Sequence, residues 1–217
     1  MSEPQHPETK ARLLHAAGEC FAEKGYHRAS LREICRLADL NVAMVKYYFG
    51  DKAGLYAAVL EHCHQCGPPR FVQEMGKTPP TPPEVRLRQF VRAMVARARG
   101  EDRPAWCGRI LNRELVEPTE VRAEFVRREI APVSSLLLAL VQELAGPGLS
   151  RRETIRCALS IVGQCLHHRV AAGNIALLYP DYAYTAAELD ALVEHITAFS
   201  LAGLAALRRA RAASSRE

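Results

Sequence analysis

The sequence lacks the features that mark most enzymes and membrane proteins. It has no Gly-rich phosphate-binding loop, no His-Glu metal-binding run and no nucleophile elbow. No uninterrupted apolar run approaches the roughly 18–20 residues that cross a bilayer. The start, MSEPQHPETK, has no basic segment followed by an apolar one. No convincing strand alternation occurs either. These absences predict an all-α, cytoplasmic protein with no membrane segment, no cofactor and no metal.

Cysteine and charge restrict the classes further. The seven cysteines are odd in number and scattered through apolar helical patterns, which is typical of reduced thiols. The formal net charge is +5, yet residues 1–61 hold eight basic and eight acidic side chains. The excess lies mainly in residues 84–113, where eight arginines accompany three acids. Net charge therefore does not support nucleic-acid binding, which has to be argued from geometry.

Helical patterns fill the N-terminal quarter of the chain. An apolar stripe over residues 9–24 stops at a glycine, and Ser30 opens a second short helix with the pattern of a capping box. Asn41 caps a third helix over residues 42–49, and a fourth begins at Lys52. A tight turn joins the second helix to the third. This layout predicts a helix-turn-helix.

The third helix is rich in large apolar side chains, since it reads VAMVKYYF. In a helix-turn-helix its Val45, Tyr48 and Phe49 pack inward, while the remaining side chains face the major groove. Small Ala43 would allow close approach, and apolar side chains suit thymine methyl groups. We predict DNA contacts from Val42, Ala43, Met44, Lys46, Tyr47 and Lys52. The alternative is a solvated connector helix with aromatic anchors.

Residues 9–62 resemble the N-terminal domain of TetR-family transcriptional regulators. The matching elements are FAEKGY at 21–26, the turn ADL at 38–40, the aromatic run at 47–49 and KAGL at 52–55. The resemblance implies an all-α homodimer that reads DNA with its third helix and releases DNA when a larger domain binds a small effector. By position it also makes Ser30 a DNA contact.

Two positions depart from the family pattern. Asp39 stands where relatives usually carry glycine, and Lys46 stands where they usually carry an aromatic residue. Both departures bear on which operator sequence the protein recognises, not on whether it binds DNA. The C-terminal stretches GQCLHHRVAAGNIALLYP and HITAFSLAGL resemble the CecR-type branch of the family. We predict a DNA-binding domain at residues 1–56 and a domain for effector binding and dimerisation at residues 57–217.

Downstream of a proline-rich connection at 67–84, helices are predicted again. Pro132 should kink or split one of them. Ser150 and Thr185 begin two further capping-box patterns, and the long helices that they open carry apolar stripes suited to dimerisation. The predicted helices are 84–99, 104–116, 119–145, about 153–172 and about 186–207.

Polar side chains within apolar helices are the candidates for an effector site between the helices near 85–117 and 153–172. A tryptophan beside an arginine suits an anionic or aromatic ligand. Core histidines, a dimer seam and surface ion pairs are the alternatives. The predicted effector-binding residues are Met94, Trp106, Arg109, Arg113, Gln164, His167 and His168.

The stretch EHCHQCG at 61–67 leaves a second function open. Thiolates and imidazoles bind zinc and copper, but only His62 and Cys66 share a helix face, and no second such motif follows. The sequence thus predicts a ligand-responsive repressor that binds a palindromic operator as a homodimer. The alternatives are a thiol- or metal-responsive regulator, or an α-helical enzyme or binding protein with a vestigial helix-turn-helix.

Overall fold

The computed structural model describes residues 6–65, 81–99 and 104–214, and these residues contain helices and no strand. The predicted all-α fold is confirmed. The proline-rich connection lies largely outside the described residues. The helices are α1 (His6–Arg28), α2 (Leu31–Ala38), α3 (Val42–Phe49), α4 (Lys52–Gln65), α5 (Pro83–Arg99), α6 (Ala105–Val116), α7 (Arg122–Phe125), α8 (Ala131–Ala145), α9 (Arg151–Val170), α10 (Ala172–Leu178) and α11 (Ala186–Ser214).

Capping residues fix most of the predicted helix starts. The Ser150 hydroxyl accepts from the backbone N–H of Glu153, whose carboxylate accepts from the Ser150 N–H at 2.9 Å, so this capping box is complete. Ser30 caps α2 by accepting from the Glu33 N–H at 3.2 Å. The return half of that box is not formed, because the Glu33 carboxylate pairs with Lys24.

The predicted break at Pro132 takes the form of a π-helical turn, Val126–Ile130, between α7 and α8. Proline has no N–H to donate to the carbonyl four residues earlier, and its ring crowds that carbonyl. A wider turn just before the proline avoids the crowding at the cost of regular α-helical hydrogen bonds. The sequence pattern thus located the irregularity correctly but did not reveal its form.

The turn between α2 and α3 depends on a residue in the left-handed region. Asp39 has φ 52° and ψ 51°, the only positive φ outside glycine among the described residues. Its N–H donates to the carbonyl of Arg36 at 3.2 Å, and the Leu40 N–H donates to that of Cys35 at 2.9 Å. These bonds close α2 and direct the chain into α3.

Asp39→Gly is expected to stabilise the protein by about 0.5–1 kcal/mol, because glycine adopts this conformation without a Cβ clash. The stabilisation from this substitution is limited, because glycine has greater conformational freedom than aspartate in the unfolded chain. Asp39→Ala keeps the Cβ and loses the local polar group, so it should destabilise. Urea denaturation of both variants measures the difference, and a less stable glycine variant would contradict the expectation.

The described helices form two compact units with separate cores. The first contains α1–α4, α6, α7 and the π-helical turn, and the second contains α5 and α8–α11. Phe21, Val45 and Leu55 are buried in the first core, whereas Leu87, Leu140 and Ile196 are buried in the second. The predicted domains at 1–56 and 57–217 are defined by function and stay a prediction.

In the second unit, arginines of α5 pair with acids of other helices. Arg88 and Arg92 lie 3.0 and 2.6 Å from carboxylates on α11, and Arg86 pairs with Glu143 of α8. These three arginines are therefore neutralised locally by carboxylates of the same unit.

Helix α11 is more apolar than its interrupted sequence pattern suggests. Among the described helices it alone, over Ala186–Ala213, is long and apolar enough to cross a membrane, with mean hydropathy 1.3. Isolated Thr, Ser and Gly residues interrupt its apolar runs without lowering the average much. A core helix has the same composition, and Leu192, Val193 and Ile196 of α11 are buried in the second core.

Candidate functional site

Helix α3 begins and ends at residues that suit a short, separate helix. The Asn41 side chain accepts from the Ala43 N–H at 2.9 Å, and Gly50 ends the helix with φ 80°. Val45 is fully buried, and Tyr48 and Phe49 are half-buried against the core of the first unit. The predicted inward face is therefore confirmed.

The opposite side of α3 is open. Val42, Ala43, Lys46 and Tyr47 are all exposed, and Tyr47 keeps 69% of its surface accessible. Positions i, i+1, i+4 and i+5 share one side of a helix, so these four side chains form one surface, named here the reading face. Met44 differs from the prediction in its surroundings, since it is half-buried against the core.

Two predicted DNA contacts outside α3 have roles within the protein. The Ser30 hydroxyl is exposed and serves as the cap of α2. The Lys52 ammonium donates to the carbonyl of His27 at 3.2 Å and lies 4.8 Å from the centre of the Tyr26 ring. This cation–π contact and the hydrogen bond hold the Lys52 ammonium against the end of α1.

No sequence motif indicates the residue to which the Tyr26 hydroxyl binds. Its hydroxyl donates to Glu120 at 2.5 Å, and burial together with this carboxylate raises the pKa of Tyr26 to about 12. Tyr26 and Glu120 are 94 residues apart in the sequence, so no local pattern could have paired them. The bond ties the end of α1 to the segment before α7.

A buried carboxylate makes a second such connection. Glu114 is 4% exposed and accepts from the Tyr56 hydroxyl at 2.8 Å. Its other oxygen accepts from the N–H and the hydroxyl of Thr119, at 2.9 and 3.0 Å. Burial, followed by the bond to Glu114, raises the pKa of Tyr56, so its hydroxyl stays protonated. Helix α4, which follows the reading face, is thereby fastened to α6 and the turn after it.

Two of the predicted effector residues on α6, Trp106 and Arg113, make contacts within the first unit. Trp106 is buried, stacks on His62 with ring centres 5.8 Å apart, and would lie 2.5 Å from a Cβ placed on Gly18. It is a core anchor between α1 and α4. The Arg113 guanidinium donates to the Phe21 carbonyl at 3.3 Å, while Arg109 is exposed.

The predicted effector residues of the second unit divide similarly. Met94 is half-buried against the core, and the Gln164 amide donates to the Ser200 hydroxyl at 3.4 Å, joining α9 to α11. His167 and His168 instead line an open cavity of about 540 Å³. The structure therefore brings only these two members of the predicted set together, and it adds Tyr179, Tyr182, Glu188 and His195, among others, as further lining residues.

The described part of the cysteine–histidine motif is occupied by packing contacts. Cys63 is buried, His62 stacks on Trp106, and His64 lies 3.3 Å from the Glu129 carboxylate. Cys66 lies outside the described residues. Elsewhere, burial raises the pKa of the Cys35 thiol and raises that of Cys165 to about 12, which disfavours the reactive thiolate at these two positions.

Two family profiles match the chain. Residues 13–59 match the bacterial regulatory proteins of the tetR family. Residues 83–204 match the C-terminal domain of the HTH-type transcriptional dual regulator CecR. The second match alone covers more than half of the chain.

Individual relatives are regulators as well. CecR from Shigella flexneri is 26% identical over 179 residues, which are 78% of this chain and 79% of CecR. YttP from Bacillus subtilis is 45% identical over 47 residues, 22% of this chain and 23% of YttP. The repressor NicS from Pseudomonas putida is 37% identical over 60 residues, 28% of each protein. The chain thus spans about a quarter of the length of YttP and NicS.

Solved structures share the fold. A TetR-like regulator from Rhodococcus sp. RHA1 matches with TM-score 0.64 and 20% identity, covering 94% of this chain and 99% of that one. FadR from Bacillus subtilis, in complex with stearoyl-CoA, matches with TM-score 0.63 and 17% identity, covering 89% of this chain and 98% of that one.

Because the family and its relatives are transcriptional regulators, the enzyme alternative is excluded. The chain belongs to the TetR family of bacterial transcriptional regulators, with a DNA-binding helix-turn-helix and a CecR-type C-terminal domain.

Proposed function

We propose that this regulator is a cytoplasmic repressor that binds a palindromic operator as a homodimer and leaves it when a small effector binds. The DNA contacts come from the four side chains of the reading face, Val42, Ala43, Lys46 and Tyr47, and from Ser30, Met44 and Lys52. The proposal is supported by NicS, which is a transcriptional repressor, and by FadR from Bacillus subtilis, whose structure contains stearoyl-CoA.

The observation that carries the proposal is a surface on α9 and α11, named here the dimer face. Leu159 and Phe199 are 64% and 65% exposed on it. No Asp, Glu, Lys or Arg occurs between Arg156 and Arg169 or between Glu194 and Arg208. Large exposed apolar surfaces without charge mark protein–protein contacts.

Small residues on the same face support contact with another helix. A Cβ placed on Gly163 of α9 or on Gly203 of α11 would meet no atom within 4 Å. Nothing within the chain itself therefore requires glycine at either position. Two helices from each of two copies can approach closely here and form a four-helix bundle.

The two-fold symmetry of such a dimer matches the symmetry of a palindromic operator. A contact of one face with its own copy is two-fold symmetric. Two reading faces then enter successive major grooves when they are about 34–36 Å apart, and each reads one half of a palindrome. An effector that binds better to a dimer with another separation weakens operator binding, by a coupling of about 1–3 kcal/mol.

Phe199→Ser is expected to raise the dissociation constant of the dimer by roughly 30-fold, because each copy loses a large apolar contact. Analytical ultracentrifugation over a concentration series measures this change. Leu177→Ser, which also removes an exposed apolar side chain from the second unit but lies outside the dimer face, is the control and should leave association unchanged. Equal behaviour of the two variants would contradict the assignment of the face.

A further inference from the structure

We propose that the cavity at the C-terminal end of α9 binds a small organic cation with an apolar body, such as an amine or a quaternary ammonium compound. The inference rests on the proposed function in one respect, since it takes this cavity as the effector site. The cavity lies wholly within the second unit, between α9, α10 and the first turns of α11.

The charge of the lining favours a cation. Among the described residues that line the cavity, Glu188 alone carries a fixed charge, and no Lys or Arg takes part. The Tyr182 hydroxyl donates a hydrogen bond to this carboxylate; burial, followed by this bond, raises the pKa of Tyr182. Because this single hydrogen bond uses one acceptor site, the Glu188 carboxylate keeps further lone pairs with which to bind a positive group.

The aromatic rings of the lining suit the same class of ligand. Tyr179 and Tyr182 present π surfaces, whose faces attract ammonium groups within about 6 Å. The Tyr184 hydroxyl lies 3.1 Å from Nδ1 of His168 and holds that imidazole in place. Ile175 and Leu192 complete the wall with apolar surface for the body of the ligand.

His168 adds no positive charge to the lining. Burial and the neighbouring His167 and His195 lower the pKa of His168, which keeps it neutral near pH 7. Within the described residues, no group of three or more His, Cys, Asp or Glu side chains is placed to hold a metal ion. A cavity of about 540 Å³ is within the usual size of small-molecule sites.

The location links the cavity to the dimer face. Gln164 of α9 bonds to Ser200 of α11 at the level of Phe199, and one helical turn further along α9 stand His167 and His168. His167 and His195 are exposed beside the cavity. A ligand in the cavity therefore lies next to the contact that sets the separation of the two reading faces.

Calorimetry on the full-length protein at pH 8 tests the chemistry directly. Benzyltrimethylammonium is expected to bind, whereas uncharged benzyl alcohol should bind at least tenfold more weakly and phenylacetate should not bind. Glu188→Gln should weaken binding of the cation about tenfold, and Tyr179→Ala, at an exposed position, should weaken it as well. Glu194→Gln is the control, because Glu194 lies on the same helix but pairs with Arg88 at 3.0 Å.

Two results would overturn the assignment: preference for phenylacetate, or unchanged cation binding in both cavity variants. An operator-binding assay separates this inference from the proposed function. Saturating benzyltrimethylammonium should lower operator affinity at least fivefold in the wild-type protein and not in Glu188→Gln. Cation binding without release would overturn the effector role of the cavity, whereas a protein that binds no operator in any condition would overturn the proposed function and leave the calorimetric result standing.

Discussion

Glu114→Ala is expected to lower the free energy of unfolding by about 3 kcal/mol. The substitution removes the acceptor of three hydrogen bonds, one from Tyr56 and two from Thr119. A buried donor left without a partner costs about 1–3 kcal/mol, and the Tyr56 side chain is almost fully buried. Urea denaturation at a fixed protein concentration measures the loss, since dimerisation makes apparent stability depend on concentration.

Glu117→Ala is the matched control for this prediction. Glu117 is on the same segment, three residues further on, but its side chain is 75% exposed and lies 3.9 Å from Arg113. Removal of such a surface pair changes stability by less than about 1 kcal/mol. If the two variants lose equal stability, the bonds of Glu114 contribute nothing beyond an ordinary surface residue.

Tyr56→Phe separates the bond from the packing of the ring. Phenylalanine preserves the edge-to-face contact with Phe21, whose ring centre lies 4.9 Å away, but leaves one Glu114 oxygen without this donor. The cost should be about 1–2 kcal/mol, smaller than that of Glu114→Ala, because the two bonds from Thr119 remain. If Tyr56→Phe is as unstable as Glu114→Ala, Tyr56 and Glu114 act as one energetic unit.

Local signals explain why the helix-turn-helix could be predicted so closely. The bounds of α3 follow from Asn41 before it and Gly50 after it, and its inward side follows from the spacing of Val45, Tyr48 and Phe49. Each of these signals acts over four residues or fewer. Asp39 shows the same principle, because a helix that needs a left-handed residue at its end accepts aspartate when glycine is absent.

Most of the cavity lining could not be predicted in this way, because periodicity gives the face of a helix but not the element packed against it. Trp106 and His167 both occupy helices with apolar stripes, yet Trp106 fills the core of the first unit and His167 borders a cavity in the second. In the sequence, Glu188 is recognisable only as the glutamate of the capping-box pattern that Thr185 begins. Glu188 lies beside Tyr182 because of the way the segment after α10 packs on α11. No local sequence pattern predicts that packing.

The replacement of both Lys46 and Tyr47 by alanine is expected to weaken operator binding about a thousandfold near 0.1 M salt. The two side chains are exposed and adjacent on the reading face, and a homodimer presents them twice. Four lost contacts of about 1 kcal/mol each give roughly 4 kcal/mol, because a good contact to a base or phosphate contributes about 1–3 kcal/mol. Fluorescence anisotropy with a labelled fragment from upstream of the gene measures the loss.

The salt dependence of each single variant then assigns the role of its residue. If Lys46 neutralises a phosphate, Lys46→Ala flattens the plot of log K against log salt by about two, one contact per half-site. If Lys46 instead reads a base edge, the variant tolerates changes in the operator that the wild-type protein rejects. Arg109→Ala is the control, since it removes one exposed positive charge from the same unit but from α6, and it should shift operator affinity less than about twofold. A double variant that behaves like this control would show that α3 does not read the DNA.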